Sequence, residues 1–573
     1  MPRTDCNPAS RRVPRPIRDN GICAVPSHPG LLTRQAFGSR SDFSRGGGGV
    51  PLSDGRRPLT ARIQGRPAHD RAFGTQLPRG PAWSSAIEPR VMTDAAVQAS
   101  RGTGEGQLQL SSSQGRWVLL ATVLGTGLAA VDATVVGVAL PAIGRDLHAP
   151  FSALQWTVTG YTLALASLIL LGGAAGDRYG RRRILLIGVV WFAVASTICA
   201  LASTSAVLIV ARTFQGIGGA LLIPASLAII QSTFRAEDRA RTVGAWAGLN
   251  GIAAGAAPFI GGWLLDLGSW RLVFLINPLL AVLVVAVVLR HVPETTGAQA
   301  TGGLDLVGPL LAFMGLGLTT YAAIVAGGGH AAPLVVPLCV AAGLVGLAAF
   351  AWWEYRVPNP LVPVTVFRSA QFSGASLVTF AVYAATHGFL FLLVIQLQIV
   401  AGFSPLAAGA ALLPLTILGV LFSERSGKLA HAIGPRLQMT TGPLVCGAGV
   451  LLTLRVDADA SYTREVLPAL TLFGIGLAIF VAPLAAAALA AVPVSHAGAA
   501  SGVYNAVARA ARLLAVAALP GIVGLSGDDY THPEVFLTHY RDAIWICAAT
   551  FLVGSLIAAL TMSDTRPRAR HLW

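Results

Sequence analysis

Two charged side chains stand inside long apolar runs of this sequence, where a charge is costly to keep and so asks for a role. Asp132 lies in the run 117–142 and Arg212 in the run 206–231. If both runs are helices, Asp132 sits roughly 22 Å from the start of its segment at about 1.5 Å per residue. Arg212 sits roughly 9 Å into a segment running the opposite way, so the two reach similar depth. Desolvation and a neighbouring guanidinium act in opposite senses on a carboxylate's hold on its proton. Such a pair can exchange a proton when its surroundings change. The plainer alternative is a static ion pair that holds two helices together.

A second concentration of chemistry is Gly176–Arg183, which packs four arginines, one carboxylate and two glycines into eight residues between apolar runs. Asp177 can pair with Arg181 one helical turn away or accept hydrogen bonds from a helix N-terminus. Gly176 and Gly180 let backbones approach and turn sharply. Together with Arg178, these residues form a candidate gate, while the arginines also suit simple anchoring at a membrane surface.

In the run 500–525, Asn505, Arg509 and Arg512 fall on one helical face. Arginines this deep imply a watery cavity, a carboxylate partner or an anionic ligand. Gln215, Asn250, Tyr383 and His387 are further candidates for the lining of a substrate cavity, although His387 reads equally as a satisfied polar histidine. The run 242–266 carries Gly255, Pro258, Gly261 and Gly262. Small residues there permit close helix contacts in lipid, and the proline bends its helix. The six cysteines have no metal-ligand spacing, and no phosphate-binding loop is present. We expect neither a catalytic constellation, a metal site nor a cofactor.

The elements that must position these residues are helices in a bilayer. The chain has 573 residues, 54% hydrophobic and 12% charged, against about 25% charged in a soluble domain. Fourteen apolar segments are long enough to cross roughly 30 Å of hydrocarbon. They lie near 117–142, 155–175, 184–203, 206–231, 242–266, 271–290, 304–325, 333–353, 373–397, 405–424, 437–455, 465–492, 500–525 and 543–562. With the N-terminus cytoplasmic, inside loops hold 13 basic residues and outside loops five. That asymmetry supports both the count and the orientation, with both termini cytoplasmic in a plasma membrane. The formal charge of +15 does not indicate nucleic acid, because +9 of it falls in residues 1–91.

Residues 1–115 are rich in Arg, Pro, Gly and Ser and read as an unfolded extension. A misplaced start, with Met92 as the true one, is the favoured account of it. The turn Gly427–Arg436 echoes Gly176–Arg183, each following the second segment of a possible six-helix half. The division expected is 117–290 and 373–562 for the halves, 304–353 for an inserted pair and 563–573 for a tail. Repeats of this kind mark secondary transporters with a site between the halves.

At this point the sequence resembles the major facilitator superfamily, in its fourteen-span drug/proton antiporter branch. The resemblance rests on Gly176–Arg183, on the first-segment stretch Asp132–Pro141, and on Arg212-Thr213-Phe214-Gln215-Gly216. Ala257-Pro258-Phe259-Ile260-Gly261-Gly262, followed by Trp270-Arg271 and Phe274-Leu275-Ile276-Asn277, completes it. It implies an all-α polytopic membrane protein and not an enzyme. The implied activity is proton-coupled efflux of small amphipathic or toxic compounds by alternating access, with the proton gradient as energy source. Its partners would be a small-molecule substrate, protons and the lipid bilayer, with the chain acting as a monomer. Asp132 and Arg212 would couple protons, and Gly176–Arg181 would gate. An uptake symporter or uniporter on the same fold is the alternative, and a non-transporting membrane sensor a more distant one. Departures from the family pattern are Gly137, Ala257, and His431-Ala432 where the second turn often has an acid-base pair.

Overall fold

The computed structural model of the chain describes residues 107–297, 304–328, 332–358, 360–492 and 497–563. The expected N-terminal extension up to residue 106 and the tail beyond residue 563 lie outside these. Each apolar segment corresponds to a helix: α1 (Ser113–Leu147), α2 (Phe151–Tyr179), α3 (Arg181–Ala200), α4 (Ser205–Thr233), α5 (Ala236–Asp266) and α6 (Arg271–His291) form the first half. The inserted pair is α7 (Val307–Gly327) and α8 (Val335–Arg356). The second half holds α9 (Ala370–Ile399), α10 (Pro405–Ala410), α11 (Leu413–Ile433), α12 (Pro435–Leu452), α13 (Leu467–Ala490), α14 (Ala497–Ile522) and α15 (Pro533–Thr561). Taking α10 and α11 as one interrupted crossing, 14 helices are long and apolar enough to span a bilayer. The protein is a multi-pass, all-helical membrane protein. No strand occurs among the described residues beyond an isolated bridge between Leu108 and Phe234.

Local chemistry sets the helix ends. The side chains of Ser112, Thr204, Ser369 and Ser404 each accept a bond from an orphan amide in the first turn of α1, α4, α9 and α10. Two glycines with positive φ, Gly180 at +105° and Gly434 at +89°, make the abrupt breaks between α2 and α3 and between α11 and α12. The two echoing turns of the sequence thus share one backbone device.

Three boundaries differ from the sequence reading. Residues 107–112, assigned to the unfolded extension, run back over the bundle: Leu108 N donates to Thr233 O at 2.8 Å and Leu110 N to Asp238 at 3.0 Å. α15 begins ten residues before the expected 543, because its polar first turns lie outside the apolar stretch that hydropathy detects. The tenth crossing breaks at Ala411 and Leu412, which composition alone does not signal.

We call the face on which α1 begins the near face. One hydrophobic core fills the second half and continues into the far-face part of the first half, through Val135, Phe151, Leu154, Trp270 and Phe274. A separate core, with Val118, Leu185, Phe192, Ile230 and Val288, fills the near-face part of the first half. On the near side Gly502 of α14 lies against Leu170 of α2, and towards the far face the two halves share a packed interior. There Gln155 Nε2 donates to Val516 O and Ala517 O at 2.9 and 3.0 Å, and Gln398 Nε2 to Val138 O at 3.0 Å. Phe151 N donates to Gly527 O at 2.7 Å, and the Tyr530 hydroxyl to Ala149 O at 2.8 Å. On the near side α5 and α11 diverge. A Cβ added at Gly244, Gly248, Gly251, Gly419 or Gly427 would meet nothing within 4 Å. The halves are bonded to each other on the far face, while these near-face glycines of α5 and α11 have free space around them.

Candidate functional site

Asp132 on α1 and Arg212 on α4 are brought into direct contact, and each is 1% exposed. Asp132 Oδ2 accepts from Arg212 Nη1, while Oδ1 accepts from Gln215 Nε2 and from Asn277 Nδ2, both at 2.9 Å. Arg212 also donates through Nε to Thr157 O at 3.1 Å and through Nη1 to Gln215 Oε1 at 2.5 Å. Its guanidinium lies over the Tyr161 ring at 4.5 Å and the Phe274 ring at 5.8 Å. Ser196 Oγ accepts from Gln215 at 3.2 Å and Asn277 at 2.9 Å and donates to Phe274 O at 3.0 Å. Five helices of the first half thus converge on one carboxylate with its hydrogen-bonding capacity engaged. A buried ion pair that lacked these extra donors would leave desolvation uncompensated.

This geometry changes one expectation. The pair is sealed inside the first half, behind the Tyr161 ring. Gln215, assigned to the cavity, is fully buried and belongs to this node. Sequence reasoning quoted Asn277 without a role and missed Ser196. A Ser within an apolar run gives no signal until its neighbours on α4 and α6 are known.

The less buried part of the site lies on α9 and α14. Tyr383 and His387 stack at 5.8 Å, and His387 Nδ1 lies 2.9 Å from Tyr383 O. Arg512 reaches across from the second half, donating through Nη2 to Ala133 O at 2.9 Å, beside Asp132 in the chain. Arg509 and Arg512 have their Nε buried with no partner. Tyr161 lies against the Arg212 guanidinium and within electrostatic reach of Arg509 and Arg512. Asn505 is exposed and bonds only to Ser501 O on its own helix. Asn250 is instead buried on α5, its Nδ2 bonded to Trp246 O at 2.8 Å and its Oδ1 unpartnered.

The family model of the Major Facilitator Superfamily matches residues 122–516. The chain belongs to the Major Facilitator Superfamily. Multidrug resistance protein Stp of Mycobacterium tuberculosis is 36% identical over 391 residues, covering 68% of this chain and 72% of its relative. The probable actinorhodin transporter of Streptomyces coelicolor is 34% identical over 429 residues, covering 73% and 74%. These relatives carry drug-resistance and transporter names, as the branch named from the sequence implies. Among solved structures, a bacterial homologue of the human lysosomal transporter Spinster superposes with a TM-score of 0.55 at 16% identity, over 78% of this chain and 96% of that one. At that identity the likeness concerns the fold alone. As a superfamily member, the chain is a transporter of small molecules and not an enzyme.

In this superfamily member the Gly176–Arg183 turn is organised differently from one sequence alternative. Asp177 Oδ1 accepts from Arg181 Nε at 2.9 Å and Nη2 at 2.7 Å, and Arg181 Nη1 donates to Ala228 O at 3.3 Å. Asp177 does not cap a helix. That task falls to Glu294, which accepts from Arg182 N at 3.0 Å and Arg183 N at 3.2 Å. Arg181 N donates to Thr295 O at 2.9 Å, so the connection after α6 clamps the turn. Arg178 lies over the neighbouring Tyr179 ring at 5.7 Å. Nothing in the spacing marked Glu294, since its partner amides lie more than 100 residues earlier.

Two glycines of α5, Gly255 and Gly262, lie at the joint between halves. A Cβ at Gly262 would come within 2.4 Å of Pro405 O, and one at Gly255 would collide with Thr416. Gly261 faces Val135 of α1, and Gly409 of α10 reciprocally meets Pro258 O. Pro258 has no amide to donate and sits in this closed seam. At the far end of α1, Asp146 accepts from Trp270 Nε1 at 2.9 Å and Arg271 Nη1 at 2.7 Å. That is the structural content of the Trp-Arg dipeptide read from sequence.

Proposed function

We propose that this chain is a proton-coupled exporter of small amphipathic or toxic compounds that works by alternating access. The observation that carries the reading is the Asp132–Arg212 node, one buried carboxylate held by Arg212, Gln215 and Asn277 across α1, α4 and α6. Closing the near face and opening the far one moves the second half against this node, and with it Arg512 at Ala133. The charge facing Asp132 then changes, and with it its proton affinity. Arg512 gives the second half a hold on this node through Ala133. The drug-resistance names of the relatives support export as the direction. The arginine-rich near face is assigned to the cytoplasm, so this conformation receives substrate from inside the cell. Asp177, Arg181 and Glu294 act as the latch that holds the near-face ends of α2 and α3, with Gly176 and Gly180 as its turn. Gly255, Pro258, Gly261 and Gly262 form the far-face seal against proton leak. The transporter is a monomer driven by the proton gradient, with no bound cofactor.

The test is a susceptibility panel in an efflux-deficient bacterium, with and without a protonophore. Expression should raise tolerance to at least one compound, and the protonophore should erase the gain. Good membrane expression with no shift for any compound would overturn the reading in favour of uptake.

A further inference from the structure

The second half brings two arginines to the open side without a counterion. Arg509 makes no side-chain hydrogen bond or ion pair among the described residues, and its Nε is buried. Arg512 has one bond, to a neutral backbone carbonyl, and its Nε is likewise buried without a partner. The ion pairs among the described residues lie elsewhere, at Arg181–Asp177, Arg183–Glu294, Arg212–Asp132, Arg271–Asp146 and Lys428–Glu424. Asp132 is the carboxylate nearest in chain to the Ala133 carbonyl that Arg512 touches, and its oxygens are already engaged by three donors. The region therefore carries two positive charges that the protein leaves uncompensated.

Guanidinium groups held within a bilayer are unfavourable unless something anionic completes them. A planar fork of donors matches a carboxylate or sulfonate, two bonds at a time. Arg509 and Arg512 are one turn apart on α14, so both forks can address one anionic group. Within electrostatic reach of Arg512 stands His387, stacked with Tyr383, and this half-buried pair offers a flat surface to an aromatic body. A cation would meet the repulsion of two guanidinium groups here.

We infer that Arg509 and Arg512 form the recognition site for an anionic substrate, an amphipathic organic acid with an aromatic body. This rests on the export reading above and narrows it to a substrate class. The site selects against cationic drugs of the same size and shape.

The probes that test it are fluorescein and rhodamine 123, which share a xanthene body and carry opposite charge. The full chain is reconstituted in vesicles of phosphatidylcholine and phosphatidylethanolamine, without anionic lipid whose headgroups would compete for the same forks. Under a pH gradient, fluorescein should be carried saturably and rhodamine 123 at least tenfold more slowly. Arg509→Gln and Arg512→Gln should each raise KM for fluorescein about tenfold or more, with Arg509→Lys in between. Binding is read separately on the unmutated chain, whose thermal unfolding temperature should rise with fluorescein and not with rhodamine 123. That reading stands even if the glutamine variants fail to fold. Transport of rhodamine 123 with fluorescein ignored would overturn the inference, as would unchanged fluorescein KM in both glutamine variants. If neither dye moves although the susceptibility panel is positive, the anion site is refuted and export survives. If the panel is negative as well, export itself falls and the inference with it.

Discussion

Replacing Asp132 with asparagine keeps shape and removes one charge. The loss is large because of what surrounds it. Arg212 stays 1% exposed, with its guanidinium against Tyr161 and Phe274 and no other carboxylate bonded to it. Breaking one side of a buried pair costs about 3–5 kcal/mol, because the remaining charge stays desolvated and unpaired. The asparagine's amide nitrogen also meets a donor in either orientation, Gln215 and Asn277 in one and Arg212 in the other. Loss of transport in Asp132→Asn alone would therefore not separate coupling from collapse. The double variant Asp132→Asn/Arg212→Gln does. It removes both charges, leaves neutral groups that can bond to each other, and should recover all but about 1–2 kcal/mol of stability. The assay is unfolding of the purified full chain in detergent, followed by efflux from vesicles under an imposed pH gradient. We expect a stable double variant with no pH-gradient-driven transport. If it regains stability and also carries substrate at the unmutated rate, Asp132 is only structural. If the single variant costs less than about 1 kcal/mol, the burial argument itself is wrong.

Other outcomes follow from the same structure. Asp177→Asn weakens a partly exposed pair, with Asp177 48% and Arg181 15% exposed, and should cost under about 1 kcal/mol of stability. It should nonetheless slow transport, and far more than His431→Asn does; equal effects would count against an unequal latch. Glu294→Gln keeps only one of the two capping acceptors, since Oε1 takes Arg182 N and Oε2 takes Arg183 N, so the turn should loosen and turnover should fall in parallel with Asp177→Asn. Gly262→Val drives a side chain into the backbone at Pro405 and should cost roughly 1–3 kcal/mol through overpacking. Because it pries open the far-face seam, vesicles carrying it should leak protons, whereas Gly248→Val, facing open space, should leave leak unchanged.

Much of this protein was legible along the chain because the bilayer imposes rules that hydropathy reports. Each apolar run had to become a helix, since no other element satisfies its backbone in lipid. The charges stranded in those runs, Asp132 and Arg212, could be matched in depth by counting residues. The boundary errors have the same origin. The polar first turns of α15 escape a hydropathy reading, and residues 107–112 are held by bonds to the α4–α5 turn and by Leu108 and Leu110 packing on the near-face core.

The sequence by itself determined which segments cross, which residues carry charge into the membrane, and that two turns repeat. These are local properties, fixed by composition within some 20 residues. Only the tertiary structure decided who meets whom. It buried Gln215 in the Asp132 node instead of a cavity, supplied Asn277 and Ser196 as further partners, and gave the helix cap to Glu294 instead of Asp177. It also left Arg509 without a partner and Arg512 with only the Ala133 carbonyl. The reason is that hydrogen bonds and ion pairs act over about 3 Å between residues up to several hundred positions apart. Helical spacing constrains neighbours on one helix, and only packing constrains the rest.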